Sequence, residues 1–347
     1  MIREYLRSAA TSVVAILIGF LVGAVILYLA GYNPIYTYEQ LLKSAFGDYS
    51  SVMDTLTAMT PIILTGASAA FIFKASLFFI GMEGELYIGA IFAFLAGYLL
   101  HLPPGIHAAV AFLAGGLGGL LWGLGPGYLR AKYGVNETVM AIMLNWVAIF
   151  LSDYVVQYAY PSPQASIART YMVQATARIP LMSKSVPLTW CFPIAIVAAV
   201  ATGYLLYNTT IGYNVRAVGL NPVAARVAKI DVVKSYLMSF LISGFLAGLA
   251  GAAMVLGIFG SLVYRFSPGY GWDGITAALI ARNNPYAVIP AALLLATLRT
   301  GSIGMMIMAG VSNEMVLTIQ GVILIAAAAP EAFNLLSRVV RAWRGGR

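Results

Sequence analysis

Apolar runs long enough to cross a bilayer recur from one end of this chain to the other, and that recurrence constrains its fold more than any single motif. They cover residues 9–31, 52–73, 86–100, 106–124, 139–157, 188–207, 236–263, 286–310 and 315–329, with a shorter apolar piece at 275–281. A hydrocarbon core of about 30 Å takes about 20 residues of helix to cross. Backbone polar groups in lipid must be satisfied within the segment, so runs of this length span as helices. With 61% hydrophobic and 9% charged residues in 347, too little polar surface remains to cover a water-soluble globule. The sequence predicts an all-α, polytopic integral membrane protein: one transmembrane domain over residues 1–347 with about ten transmembrane helices, short broken or re-entrant pieces included.

The loops set the topology. Arg3 and Arg7 precede the first run, which is longer than a signal-peptide core and lacks a cleavage site in a polar context, so it reads as a retained first helix. Arg130 and Lys132 follow the fourth run, and Arg338, Arg341, Arg344 and Arg347 crowd the C-terminus. On the positive-inside rule both termini are cytoplasmic. The formal charge of +8 then reflects topology, not nucleic-acid binding. The polar, proline-bearing segment 160–187 reads as an external loop, although Arg169, Arg178 and Lys184 run against the rule there. Cys191 is alone and can form no intrachain disulfide.

Two interior stretches break the pattern. Residues 74–85, KASLFFIGMEGE, set Gly81, Gly84, Glu83 and Glu85 in apolar surroundings. Irregular backbone at that depth is tolerated only against protein or a water-filled cavity, and an acidic residue at mid-helix costs about 2.5–3.5 kcal/mol even on the lower scale. Either the glutamates face a cavity or hinge in the bundle, or the turn is a cytoplasmic re-entrant one with glutamates in water. Residues 212–234, GYNVRAVGLNPVAARVAKIDVVK, set Arg216, Arg226, Lys229 and Lys234 against the single acid Asp231. Asn221-Pro222 reads as an N-cap and first-turn proline that start a short helix. A merely solvated loop explains the charge but not that capped start.

Within the spans, Asn145, Asp153 and Gln157 recur at spacings of eight and four, so a continuous helix puts them on one face, as interhelical glue or a hydrophilic path. Glue suits Asn145, and a path suits Asp153. Arg299 sits mid-span beside Thr300-Gly301-Ser302, a poor place to snorkel, and either lines a path or pairs with Glu314 or Asp273. Trp146, Trp272 and the 21 tyrosines invite stacking on a base or sugar, but most read as interface belt. No catalytic constellation is present. His101 and His107 lack Cys, Asp or Glu neighbours for a metal, no P-loop motif occurs, and no cofactor is implied.

Three stretches resemble one family. TPIILTGASAAFIFKASLFFIGMEGELYIGA at 60–90 resembles the segment of branched-chain-type ABC importer permeases that usually reads NIG-x-EGQ. NETVMAIMLNWVAIFL at 136–151 looks like the segment typical of the nucleoside and simple-sugar permeases in that superfamily. RAVGLNPVAARVAKI at 216–230 is similar to the family's cytoplasmic RAVG-x-NPEAARYAGI loop. The three come in the family's order, and with the spans between them they cover most of the chain. Phe79 stands where the pattern has Asn, Glu85 for Gln, Val223 for Glu and Lys229 for Gly.

The resemblance implies a non-catalytic permease subunit of an ATP-binding cassette importer in the plasma membrane, moving nucleosides or simple sugars inward among membrane lipid. Separate ATPase subunits, a second permease or second copy, and an extracytoplasmic solute-binding protein are the implied partners. The resemblance also implies that Arg216, Asn221, Pro222, Ala225, Arg226 and Asp231 dock on the ATPase. Glu83, Asn145, Asp153, Gln157 and Arg299 remain as candidates for the translocation path. Two other classes compete: a secondary transporter, which needs no capped cytoplasmic helix, and a membrane enzyme acting on a lipid-linked substrate, which would want clustered Asp or His on cytoplasmic loops. Among solutes a nucleoside ranks ahead of a sugar and an amino acid, because a neutral amphipathic solute needs only a few hydrogen-bonding groups beside an aromatic wall.

Overall fold

A computed structural model describes residues 2–163, 166–183 and 186–328; the arginines at the C-terminus and Lys184 lie outside the described residues. Helices dominate: α1 Ile2–Leu29, α2 Pro34–Phe46, α3 Tyr49–Phe73, α4 Met82–Leu99, α5 Ile106–Tyr133, α6 Glu137–Tyr154, α7 Cys191–Asn208, α8 Thr210–Leu220, α9 Pro222–Val227, α10 Val232–Ala252, α11 Tyr270–Ile280, α12 Pro285–Met308 and α13 Asn313–Ala328. π-helical turns extend α6 over Val155–Ala159 and α10 over Ala253–Phe259. A small antiparallel pair, β1 Leu181–Ser183 and β2 Val186–Thr189, sits in the segment expected to be an external loop.

Among the described residues seven helices are long and apolar enough to cross a membrane, with shorter apolar stretches at Leu17–Leu29 and Asn313–Ala326. The chain is an all-α polytopic membrane protein. At 11 residues, α11 covers only about 16 Å and cannot cross alone. It begins five residues before the apolar piece at 275–281, because Ser267 Oγ accepts the N–H groups of Gly269 and Tyr270, each at 3.2 Å.

Two compact units are present. The first holds the described residues up to Thr55 and from Thr297 on. There α1 packs on α13 around Leu27, Leu298, Ile319 and Ile323. The second, Leu56–Ala296, is centred on α4, α5 and α10, which touch backbone to backbone. A Cβ on Gly119 would lie 2.2 Å from the Gly244 carbonyl oxygen, and one on Gly89 would lie 2.4 Å from Gly248 Cα. Small residues permit such approach where lipid supplies no hydrophobic drive between helices. Segment 160–187 is pinned in the same unit: Thr170, Val173 and Ile179 donate N–H groups to the carbonyls of Leu262, Gly260 and Leu256 at 2.9, 2.9 and 3.0 Å. Those acceptors lie at and beyond the end of the α10 π turn, where carbonyls lack helical partners.

Candidate functional site

The broken stretch before α4 is held by α6. Asn136 caps α6, its Oδ1 accepting from Thr138 and Val139 at 3.0 and 3.1 Å. Next along, Glu137 Oε1 accepts the Phe78 N–H at 3.2 Å, and Thr138 Oγ1 donates to the Phe78 carbonyl at 2.7 Å. Arg130 Nε lies 3.2 Å from the other Glu137 oxygen. Two turns on, Asn145 Oδ1 accepts the Gly84 N–H at 2.8 Å while its Nδ2 donates to the Ile80 carbonyl at 2.9 Å. A Cβ on Gly84 would sit 2.8 Å from that same Oδ1, so glycine is what lets the amide come so close. Both α4 glutamates are buried, Glu83 at 4% exposure and Glu85 at 0%. The reading that puts them in open water at a re-entrant turn is therefore excluded.

A cavity of about 320 Å³ opens beside this clamp. Glu83 and Tyr87 come from α4, Ile142, Asn145, Trp146 and Ile149 from α6, and Arg265, Ser267, Gly269 and Trp272 from the loop and first turn around α11. Glu83 Oε2 accepts the Gly271 N–H at 2.6 Å, tying α4 to α11. Asp153 lies one turn beyond Ile149 and pairs with Arg265 at 3.3 Å. The loop that carries Arg265 is left-handed there and at Gly269, with φ of 48° and 103°.

The five path candidates thus separate. Glu83 and Asn145 line the cavity, and Asp153 reaches it through Arg265. Gln157 is exposed while Asn145 is buried. The single-face expectation fails on helical geometry itself: at about 3.6 residues per turn, the steps from Asn145 to Asp153 and on to Gln157 add up to about a third of a turn, so Gln157 lies about 120° around the helix from Asn145. Arg299 belongs to the other unit, partly buried in α12, its carbonyl accepting from Ser302 Oγ at 2.5 Å. Trp146 and Trp272, read from sequence mainly as belt residues, wall the cavity. Tyr87 had a legible signal, one turn after Glu83 on the same helix. Arg265 and Ser267 had none.

Segment 212–234 forms two helices and a cap. Asn221 Oδ1 accepts from Val223 and Ala224 at 2.9 and 3.1 Å, and Pro222 follows at the first helical position, as the sequence predicts. Ala225 turns inward at 4% exposure, packed with Val218 and Val232. Arg226 faces out, with Val223, Val227 and Leu220 exposed around it. Arg216 belongs to the separate α8, its guanidinium 5.4 Å from the Tyr207 ring centre. Burial, and after it the charge of Arg216, hold the half-buried Lys74 below the usual lysine range. Asp231 caps α10, accepting the Lys234 N–H at 2.9 Å.

His107 is buried with Nδ1 2.8 Å from Thr176 Oγ1 and Nε2 3.1 Å from the Ala96 carbonyl oxygen. Among the described residues no three His, Cys, Asp or Glu side chains gather to hold a metal.

Residues 51–328 match the family described as "Branched-chain amino acid transport system / permease component". The guanosine ABC transporter permease protein NupP of Bacillus subtilis is 33% identical over 327 residues, 93% of this chain and 94% of that protein. The nucleoside ABC transporter permease protein NupB of Lactococcus lactis is also 33% identical, over 86% of this chain and 85% of its own length. The glucose ABC transporter permease protein TsgB13 of Haloferax volcanii is 30% identical, over 93% and 88%.

Proposed function

We propose a solute, a path and a set of partners from one premise: this chain belongs to the branched-chain amino acid transport system / permease component family, and is a non-catalytic ABC importer permease. The solute is a nucleoside, passing through the cavity beside Glu83. One observation carries this reading: two indoles, Trp146 and Trp272, and the Tyr87 ring surround about 320 Å³ with few polar groups. That volume falls within the range of small-molecule sites, which are largely apolar with a few placed polar groups. Aromatic faces stack on any base. The guanosine and nucleoside permeases among its relatives support the same choice; the glucose permease makes a sugar the second reading.

One ATPase subunit binds the α9 region, a second permease subunit completes the pore and engages a second ATPase, and a solute-binding protein delivers from outside. The termini and segment 212–234 face the cytoplasm, and 160–187 faces outward. Asn221, Pro222, Ala225 and Arg226 form the docking helix, Arg216 and Asp231 flank it, and ATP-driven closure moves it as a rigid body. Asp153 closes one end of the path, and Gln157 is a further position on it. The test is ATPase stimulation of the reconstituted complex with its binding protein, comparing uridine and adenosine with ribose, glucose and leucine. Stimulation by nucleosides, with KM raised by Trp146→Ala and Trp272→Ala, is expected. Stimulation by sugars alone would replace the solute, and by leucine alone would remove the aromatic argument.

A further inference from the structure

The turn between α9 and α10 holds a lysine in a conformation that favours glycine. Lys229 has φ of 61°, the left-handed region in which a Cβ crowds the following carbonyl. The turn itself is made by main chain: Lys229 donates its N–H to the Arg226 carbonyl and Ile230 to the Ala225 carbonyl, each at 3.0 Å. Glycine closes such a helix end without strain, so the side chain of Lys229 adds nothing to the turn. Its contribution is an ammonium at the rim of a cavity of about 550 Å³ between α8 and α10.

That cavity is mixed in character. Lys229, Lys234 and Asn214 give it a polar mouth, and Ile211 and Met238 give it apolar wall. Asp231 also lines it, with one oxygen engaged on the Lys234 N–H. Two ammoniums against one carboxylate leave a single net positive charge. The cavity stands where two helices long enough to span, Cys191–Asn208 and Val232–Phe259, end and begin, and the ends of spans lie near the level of the lipid headgroups. Basic pockets between spans at this level suit anionic headgroups.

We infer that this cavity binds one anionic phospholipid, its phosphate at Lys229 and Lys234, its headgroup hydroxyls at Asp231 and Asn214, and its acyl chain along Ile211 and Met238. The assignment to the inner leaflet rests on the proposed orientation of the chain; the binding itself does not. Neither solute nor ATP enters the test, so its failure is distinguishable from failure of the importer reading.

The experiment compares spin-labelled phosphatidylglycerol with spin-labelled phosphatidylcholine on the full-length permease in phosphatidylcholine vesicles, reading the immobilised fraction. The parent protein should prefer phosphatidylglycerol, and Lys229→Gly with Lys234→Gln should abolish the preference. About 1 kcal/mol per basic residue near an anionic surface corresponds to about fivefold per lysine. Both replacements keep the main-chain turn and cap, and an unchanged Tm verifies that the variant is folded. An unchanged preference in the folded variant would overturn the proposal. So would an equal loss in Lys132→Gln, which would indicate diffuse attraction. Displacement by excess inorganic phosphate would make this a soluble-phosphate site, and displacement by added ATPase subunit would make it part of that interface. Either result overturns the lipid assignment.

Discussion

Asn145→Leu tests whether a side chain on one span caps the helix of another. The first four N–H groups of a helix have no intrahelical acceptor. Gly81, at the α4 cap position, makes no side-chain cap bond. The acceptor for Gly84 is supplied instead by Asn145 Oδ1 at 2.8 Å, and the same amide satisfies the Ile80 carbonyl on the other side of the break. Leucine keeps roughly the shape and leaves both main-chain groups orphaned in a site that is 4% exposed at residue 145. Orphaned buried groups cost about 1–3 kcal/mol each by mutational data on soluble proteins. Between membrane helices, hydrogen bonds average only about 0.6 kcal/mol. Loss of an ordinary N-cap costs about 1 kcal/mol. Together these place the loss near 2 kcal/mol, with a fall in Tm of about 4–8 °C. Asn145→Asp keeps the acceptor but forfeits the donor and brings a charge into a span, at about 2.5–3.5 kcal/mol, so it should do no better. Thermal unfolding of the purified protein, followed by tryptophan fluorescence, reads both variants. A Tm of Asn145→Leu equal to the parent's would refute the cap reasoning, and an unchanged Tm with altered solute preference would leave Asn145 as a lining residue of the cavity alone.

Glu85 is fully buried beside Ser243, whose hydroxyl lies 2.8 Å from Ser68 Oγ; Glu85→Gln, equal in shape and unable to carry charge, should match or exceed the parent Tm, and a marked drop would show that the acid itself is needed. Ala225→Asp combined with Arg226→Asp places a carboxylate against Val218 and Val232 and inverts the outward charge; membrane levels should hold while transport is lost, and normal uptake at normal expression would remove α9 from coupling. In a Cys191→Ser background, an impermeant thiol reagent on intact cells should label a cysteine at Ser166 and spare one at Val223. The opposite pattern inverts the proposed orientation.

Much of the architecture was legible because membrane physics writes it in one dimension. Each long apolar run became a helix, and Asn221-Pro222 announced α9 because cap and first turn are set by adjacent residues. The cavity was legible only in part. Glu83 stood out because acids are costly in a span, and Asn145 because it is polar there. Arg265 and Ser267 come from a loop whose path depends on left-handed residues and on an Asp153 partner 112 positions away, and nothing local encodes that meeting. Gln157 misled for a different reason: spacings of eight and then four each fall near a whole number of turns, but their offsets add up to about 120° around the helix.

If α9 is where force enters, the way it reaches the cavity is constrained by packing. Ala225 of α9 rests on Val232 at the start of α10. Further along, α10 meets α4 at Gly248 and Gly89, main chain against main chain. Side chains can change rotamer to absorb a small displacement, but backbones in contact cannot, since interiors are close-packed. A shift of α10 must therefore carry α4 with it, and Glu83 at the start of α4 must carry Gly271 through its 2.6 Å hydrogen bond. The compliance has to lie where regular structure is interrupted, in residues 74–81 before α4 and in the left-handed loop around Arg265 and Gly269. The second of these borders the cavity. Packed helices α4 and α10 that pull on the loop bordering the cavity change the shape of that cavity with little rearrangement elsewhere, which is the kind of motion alternating access needs.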